Sequence, residues 1–128
     1  MMKASIRYLD PNTEFYTDEK CYIIEVSNSD SDPDLSIARA RVAPGVTTRW
    51  HRLAGIAERY LILSGQGQVE IGGLPPEPVG PGDVVLIPPM CRQRITNTGN
   101  ADLIFMAICT PRFTAAAYED IDETGAGS

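Results

Sequence analysis

The chain has 128 residues, 43% of them hydrophobic, which is enough for one domain around one core and too little for two. Seventeen acidic against eleven basic residues give a net charge of −6, which argues against nucleic acid as the main partner, since phosphate binding wants a basic face. No apolar run approaches the roughly 20 residues of a membrane span, and the opening MMKASIRYLD lacks the apolar stretch of a signal peptide, so neither membrane nor export is expected. Residues 1–20 read as a polar arm without pattern. CYIIEVSN (21–28) reads as a strand and the acidic SDSDPD (29–34) as an exposed loop. LSIARARV (35–42) alternates apolar and polar residues as a half-buried strand does. APG (43–45) turns the chain into a further strand, VTTRWHRL (46–53). After AGIA come the strands ERYLILSG (58–65) and QGQVEIGG (66–73), then a proline-rich irregular or edge segment, LPPEPVGPGD (74–83). VVLIPP (84–89) predicts a buried strand and CRQRITN (91–97) another. TGNAD makes a tight turn into the apolar strand LIFMAICT (103–110). PRFTAAAYEDID (111–122) suits one helical turn near 114–120, and ETGAGS reads as a frayed tail. Short strands with a turn every 8–12 residues predict an all-β sandwich or barrel.

Two segments share a spacing. In the first, Gly45 is followed by His51, Leu53, Glu58 and Gly65; in the second, Gly82 is followed by Pro88, Met90, Gln93 and Asn97. These segments resemble the two motifs of the cupin superfamily, G-x5-H-x-H-x3–4-E-x6-G and G-x5-P-x-G-x2-H-x3-N. The resemblance covers about residues 36–110. It implies a single cupin domain over 1–128: a double-stranded β-helix, or jelly-roll barrel, of two antiparallel sheets. It also implies a divalent metal (Mn, Fe or Zn) held by the histidines and the glutamate of the motifs. Carried over by position, that ligand set becomes His51, Glu58 and Gln93. Leu53 stands where a second histidine would be, Gln93 where a third would be, and Met90 where the family has glycine.

The residues support a site on their own terms. His51 and Leu53, two apart on one strand, face the same way. Glu58 opens the next strand, and Gln93 joins them only if the sheet curls. The same parity turns Arg49, Tyr60, Ile62, Cys91 and Ile95 inward, and Arg52, Arg92 and Arg94 outward. Each inward polar residue has two readings. His51, the only histidine, is a metal ligand or a barrel histidine bonded to Glu58 or water. Glu58 is a ligand or general base, or a buried carboxylate held by Arg49, Tyr60 or His51. Gln93 gives its amide oxygen to a metal, or bonds Glu58 or a ligand. Arg49 pairs with a substrate carboxylate or phosphate, or sits at a solvated rim. Cys91 is a soft ligand or reactive thiol, or a packing residue. With Tyr60 these residues would form a pocket for a small molecule.

Three function classes follow: a metal-dependent dioxygenase, isomerase or decarboxylase acting on a small polar molecule; a metal-free cupin binding a sugar or organic acid; and an interaction module with an empty barrel. Three cysteines without a CxxC pair suit free thiols in a reducing, cytoplasmic setting. The apolar strands 21–28 and 103–110 exceed what one small barrel interior needs, and the family's small members commonly pair; both predict a homodimer.

Overall fold

The computed structural model describes residues 2–122, which form eleven strands and two single 3-10 turns. The strands are β1 (Phe15–Tyr16), β2 (Tyr22–Ser27), β3 (Ser36–Val42), β4 (His51–Leu53), β5 (Ala57–Ser64), β6 (Gly67–Ile71), β7 (Glu77–Val79), β8 (Val84–Ile87), β9 (Gln93–Asn97), β10 (Leu103–Thr110) and β11 (Tyr118–Asp120). They pair antiparallel into a six-stranded sheet, β1-β2-β3-β10-β5-β8, and a five-stranded sheet, β11-β4-β9-β6-β7. This is the two-sheet, nearly all-β architecture that the turn spacing predicts, in the jelly-roll form that the resemblance implies. Its core lies between the sheets, where Val42, Ile62, Ile95, Leu103 and Phe105 are almost wholly buried.

The alternation in β3 becomes a burial pattern. Ala38 and Ala40 line the interior, while Arg39 and Arg41 lie on the opposite face and both bond the carboxylate of Glu14. On neighbouring β10, Ile104 and Met106 stand beside Arg41 and Arg39 in register. The arginine stems flank these apolar groups and leave them half-buried, so their apolar character is partly answered within the chain.

Two motif positions have a plain structural cause. Gly65 has φ +90°, and a Cβ there would lie 2.7 Å from the Asp102 carbonyl oxygen, so no side chain fits. Asn97 ties the turn before β10: its Nδ2 donates to the carbonyls of Val42 and Ala101, both at 2.8 Å, and its Oδ1 accepts from the Gly99 amide.

Four expectations need correction. The run 46–53 is not one strand: only His51–Leu53 is regular, with an isolated bridge from Thr47 to Thr96. The Thr48 hydroxyl accepts from the Ile95 amide, replacing part of the ladder with a side chain. VVLIPP is half-buried rather than buried, because β8 is a sheet edge whose Val84 and Leu86 face outward. After one turn at Ala115–Ala117 the chain extends again as β11, paired to β4. The arm is not patternless: Phe15 and Tyr16 pair with β2. The expected frayed tail, 123–128, lies outside the described residues.

Candidate functional site

Three strands bring the motif side chains together at one end of the barrel. On β4, His51 and Leu53 both point inward, and His51 faces Gln93 of β9 in register. On β5, the alternation buries Glu58, Tyr60 and Ile62. A cavity of about 300 Å³ opens here, lined by His51, Leu53, Glu58 and Tyr60 and by a mostly apolar wall that includes Ile95 and Phe105. Gln93 sits behind it, 1% exposed.

The hydrogen bonds fix these groups differently. The Tyr60 hydroxyl donates to Gln93 Oε1, and its ring lies 4.4 Å from that of Phe105. His51 Nδ1–H donates to the Arg49 carbonyl at 2.9 Å, so in the neutral ring Nε2 is the acceptor. The His51 ring stacks on Tyr118, with centroids 5.3 Å apart. Glu58 Oε2 accepts a long bond from the Cys109 thiol at 3.7 Å, while Oε1 is buried with no partner. Burial pushes the Glu58 carboxyl up to about 7; the neighbouring His51 opposes this, the like charge of Glu19 adds to it, and hydrogen bonds with Gln93 and Cys109 oppose it. Burial likewise raises the Tyr60 hydroxyl and the Cys21 and Cys109 thiols, so both thiols stay protonated and unreactive. Replacing Tyr60 by Phe should leave Gln93 Oε1 buried without its donor and lower stability by about 1–2 kcal/mol, read as a lower urea midpoint with an unchanged slope.

Two expected members lie elsewhere. Arg49 precedes the regular part of β4, and its guanidinium pairs with Asp120 at 2.8 Å and reaches the Asp122 carbonyl; its contribution to the site is the carbonyl that orients His51. Cys91 falls in a turn at Met90 (φ +64°), out of phase with β9, and its thiol faces the Arg92 carbonyl outside the cavity lining. The sequence reading missed Glu19 and Tyr118. Glu19 Oε2 lies 3.5 Å from His51 Nδ1, and its Oε1 accepts from the Cys21 thiol at 3.1 Å. The sequence carries no local signal for Glu19, which stands in the turn before β2, next to Lys20 at φ +73°.

A divalent metal finds a poor donor set. Among the described residues, no group of three or more His, Cys, Asp and Glu side chains is arranged to hold one. Leu53 offers methyl groups at one ligand position, and Gln93 Oε1 is committed to Tyr60. His51 and Glu58 remain, two donors where a structural or catalytic zinc site uses three or four. The residues do not fit a resident metal.

The two-sheet barrel, with His51, Glu58 and Gln93 brought together from three strands, has the architecture of the cupin fold. The family model for the cupin domain matches residues 38–109, and the chain belongs to that family. A glucose-6-phosphate isomerase of Thermococcus onnurineus is 28% identical, over 96% of this chain and 77% of its own length. An oxalate-binding protein of Thermotoga maritima is 37% identical over 71 residues, covering 56% of this chain and 58% of its own. The structure of Pac13, a nucleoside dehydratase of Streptomyces, superposes with a TM-score of 0.74 at 15% identity, covering 92% of each chain.

Proposed function

We propose that the cavity binds a small organic molecule and moves a proton on it, with Glu58 as the acid–base group and no resident metal. The observation that carries this reading is the partnerless Oε1 of Glu58, buried in a largely apolar cavity beside the only histidine. A carboxyl near 7 is shared between acid and base forms at neutral pH, as a proton-transfer group needs. His51, held in one tautomer by the Arg49 carbonyl, offers Nε2 to a second position on the ligand. Tyr60 and Gln93 hold each other and form the floor. The relatives' names fit the same class, since dehydration, and isomerisation through an enol, each move a proton.

The test is a screen of small keto, hydroxy and amino compounds in D2O, read by mass spectrometry for deuterium uptake or loss of water. We expect turnover of at least one compound, reduced about 100-fold or more by Glu58→Gln and unaffected by prior chelator treatment. Activity that a chelator abolishes and Mn, Fe or Zn restores would replace this reading with the metal-dependent one. Binding without turnover would leave a binding module.

We also propose that the protein is a cytoplasmic homodimer. No helix among the described residues is long and apolar enough to cross a membrane, and Cys21, Cys91 and Cys109 are all free, as a reducing compartment allows. The exposed Val84 and Leu86 on edge strand β8 give a second copy an apolar edge to cover. Light scattering should give twice 13.9 kDa at micromolar concentration, and a stable monomer mass would count against it.

A further inference from the structure

The charges lining the cavity are one-sided. Asp18, Glu19, Glu25 and Glu58 all line it, and among the described residues no lysine or arginine does. The arginines next in sequence to lining residues are bonded outside it: Arg52 pairs with Glu119, Arg94 pairs with Glu70, and Arg59 donates to the Thr110 hydroxyl. Arg39 and Arg41 bond Glu14 on the outer face of β3, Arg49 bonds Asp120, and Arg112, which acts on Glu25 from outside the lining, pairs with Asp30. Even a protonated His51 would set one positive charge against four carboxyl groups. Glu19 and Glu58 act on each other as like charges, and Glu58, which lines the cavity and is bonded through its carboxyl to Gln93 and the Cys109 thiol, keeps one oxygen, Oε1, buried without a hydrogen-bond partner of its own. Such an acceptor is costly to keep unless a donor arrives. An incoming sugar phosphate or dicarboxylate would meet the like charge of these carboxyl groups, with hydroxyls and one imidazole but no guanidinium or ammonium in the lining to offset it.

We propose that the ligand of this cavity is a small organic cation, a protonated amine on an apolar body, whose ammonium sits between the carboxyl groups of Glu58 and Glu19. The proposal rests on the small-molecule reading above and names the ligand class. A compact ammonium carries three donors and no acceptor, matching what the carboxylates lack. The rest of the ligand lies against Leu53, Ile95 and Phe105, and the faces of Phe113 and Tyr118 add attraction for a cation. A metal ion would answer the same charge, but the donor arrangement does not hold one. An organic cation needs no fixed coordination geometry. Binding beside Glu58 also favours its ionised form, so the ligand would turn the carboxyl into the base that acts on it.

The experiment compares three probes of one shape and different charge: 2-phenylethylamine, 2-phenylethanol and phenylacetate. Affinities come from calorimetry, and the imidazole NMR signals of His51, free of overlap because the chain has one histidine, report whether the cavity is occupied. We expect the amine to bind about tenfold or more tightly than phenylacetate, the size of one charge-assisted hydrogen bond. Glu19→Gln, on the arm rather than in the core, should weaken the amine about tenfold and leave 2-phenylethanol unchanged. If 2-phenylethanol or phenylacetate shifts the His51 signals at least as tightly as the amine does, the cation inference fails while the small-molecule reading stands. If none of the three shifts them, both fail.

Discussion

Glu58→Gln should make the protein more stable at pH 8 and remove the fall in stability between about pH 4.5 and 7 that Glu58 causes. The folded Glu58 carboxyl titrates near 7, against an ordinary value of 4.5. Between those two values the folded chain keeps a proton that the unfolded chain has released, so stability falls as pH rises from about 4.5 to 7 and is level above that. The loss is on the order of 3 kcal/mol, because each unit of displacement is worth about 1.4 kcal/mol. A carboxamide of the same shape carries no charge to bury. It does bring an NH2 group that needs an acceptor, so the gain at pH 8 should be nearer 2 kcal/mol, with little difference at pH 4.5. Urea unfolding at several pH values separates the two effects. Parallel pH profiles for wild type and variant would show that Glu58 keeps its ordinary acidity, and the acid–base reading of the site would fall with it. Stability given up here fits a functional carboxylate, since a purely structural residue could be exchanged for glutamine without penalty.

The parts of this fold that were legible in the sequence are those set by period and by backbone geometry. The alternation of SIARARV fixes which face of β3 is interior, and Gly65 and Asn97 sit where a crowded turn and three backbone groups demand those residues. Strand parity was also enough to place His51, Leu53, Glu58, Tyr60 and Gln93 on the interior. Parity failed where the backbone leaves the regular strand: Arg49 lies before β4 begins, and Cys91 lies in the turn ahead of β9. What no local pattern could show is the contribution of distant chain. Glu19 reaches His51 from an arm whose own composition is unremarkable, and Tyr118 stacks on His51 from a segment whose alanines favour a helical turn locally but whose continuation pairs with β4. Both depend on contacts more than thirty residues apart, and tertiary pairing there outweighs local propensity. The same distance hides the sign of the cavity's charge, which is assembled from the arm, β2 and β5.

Leu53→His should create metal affinity that the natural sequence lacks. Leu53 is 2% exposed, two residues from His51 on the same face of β4, and both line the cavity with Glu58. An imidazole at this position would join the His51 Nε2 and Glu58 carboxylate to give three donors, the number that catalytic zinc sites use with an open fourth position. Even an outer-shell partner of a ligand is worth about 10–100-fold in affinity, so a direct ligand should be worth at least about 100-fold. Metal binding would also draw the Glu58 proton off, so the variant should release protons on binding and bind better at pH 8 than at pH 6. The substitution has a structural penalty, because Leu53 packs with Ile56, Cys109 and Ala117 in a small cluster of its own. A loss of about 2 kcal/mol in the metal-free variant, recovered on adding zinc, is the expected thermal signature. Calorimetry with zinc and manganese on both proteins decides the matter. Wild type that binds as tightly as the variant would mean that Gln93 or Glu19 moves to complete a site, and the metal-free reading would be withdrawn. A folded variant that binds neither ion would mean that position 53 does not converge with His51 and Glu58, and the inferred geometry of the cavity would be wrong at its centre.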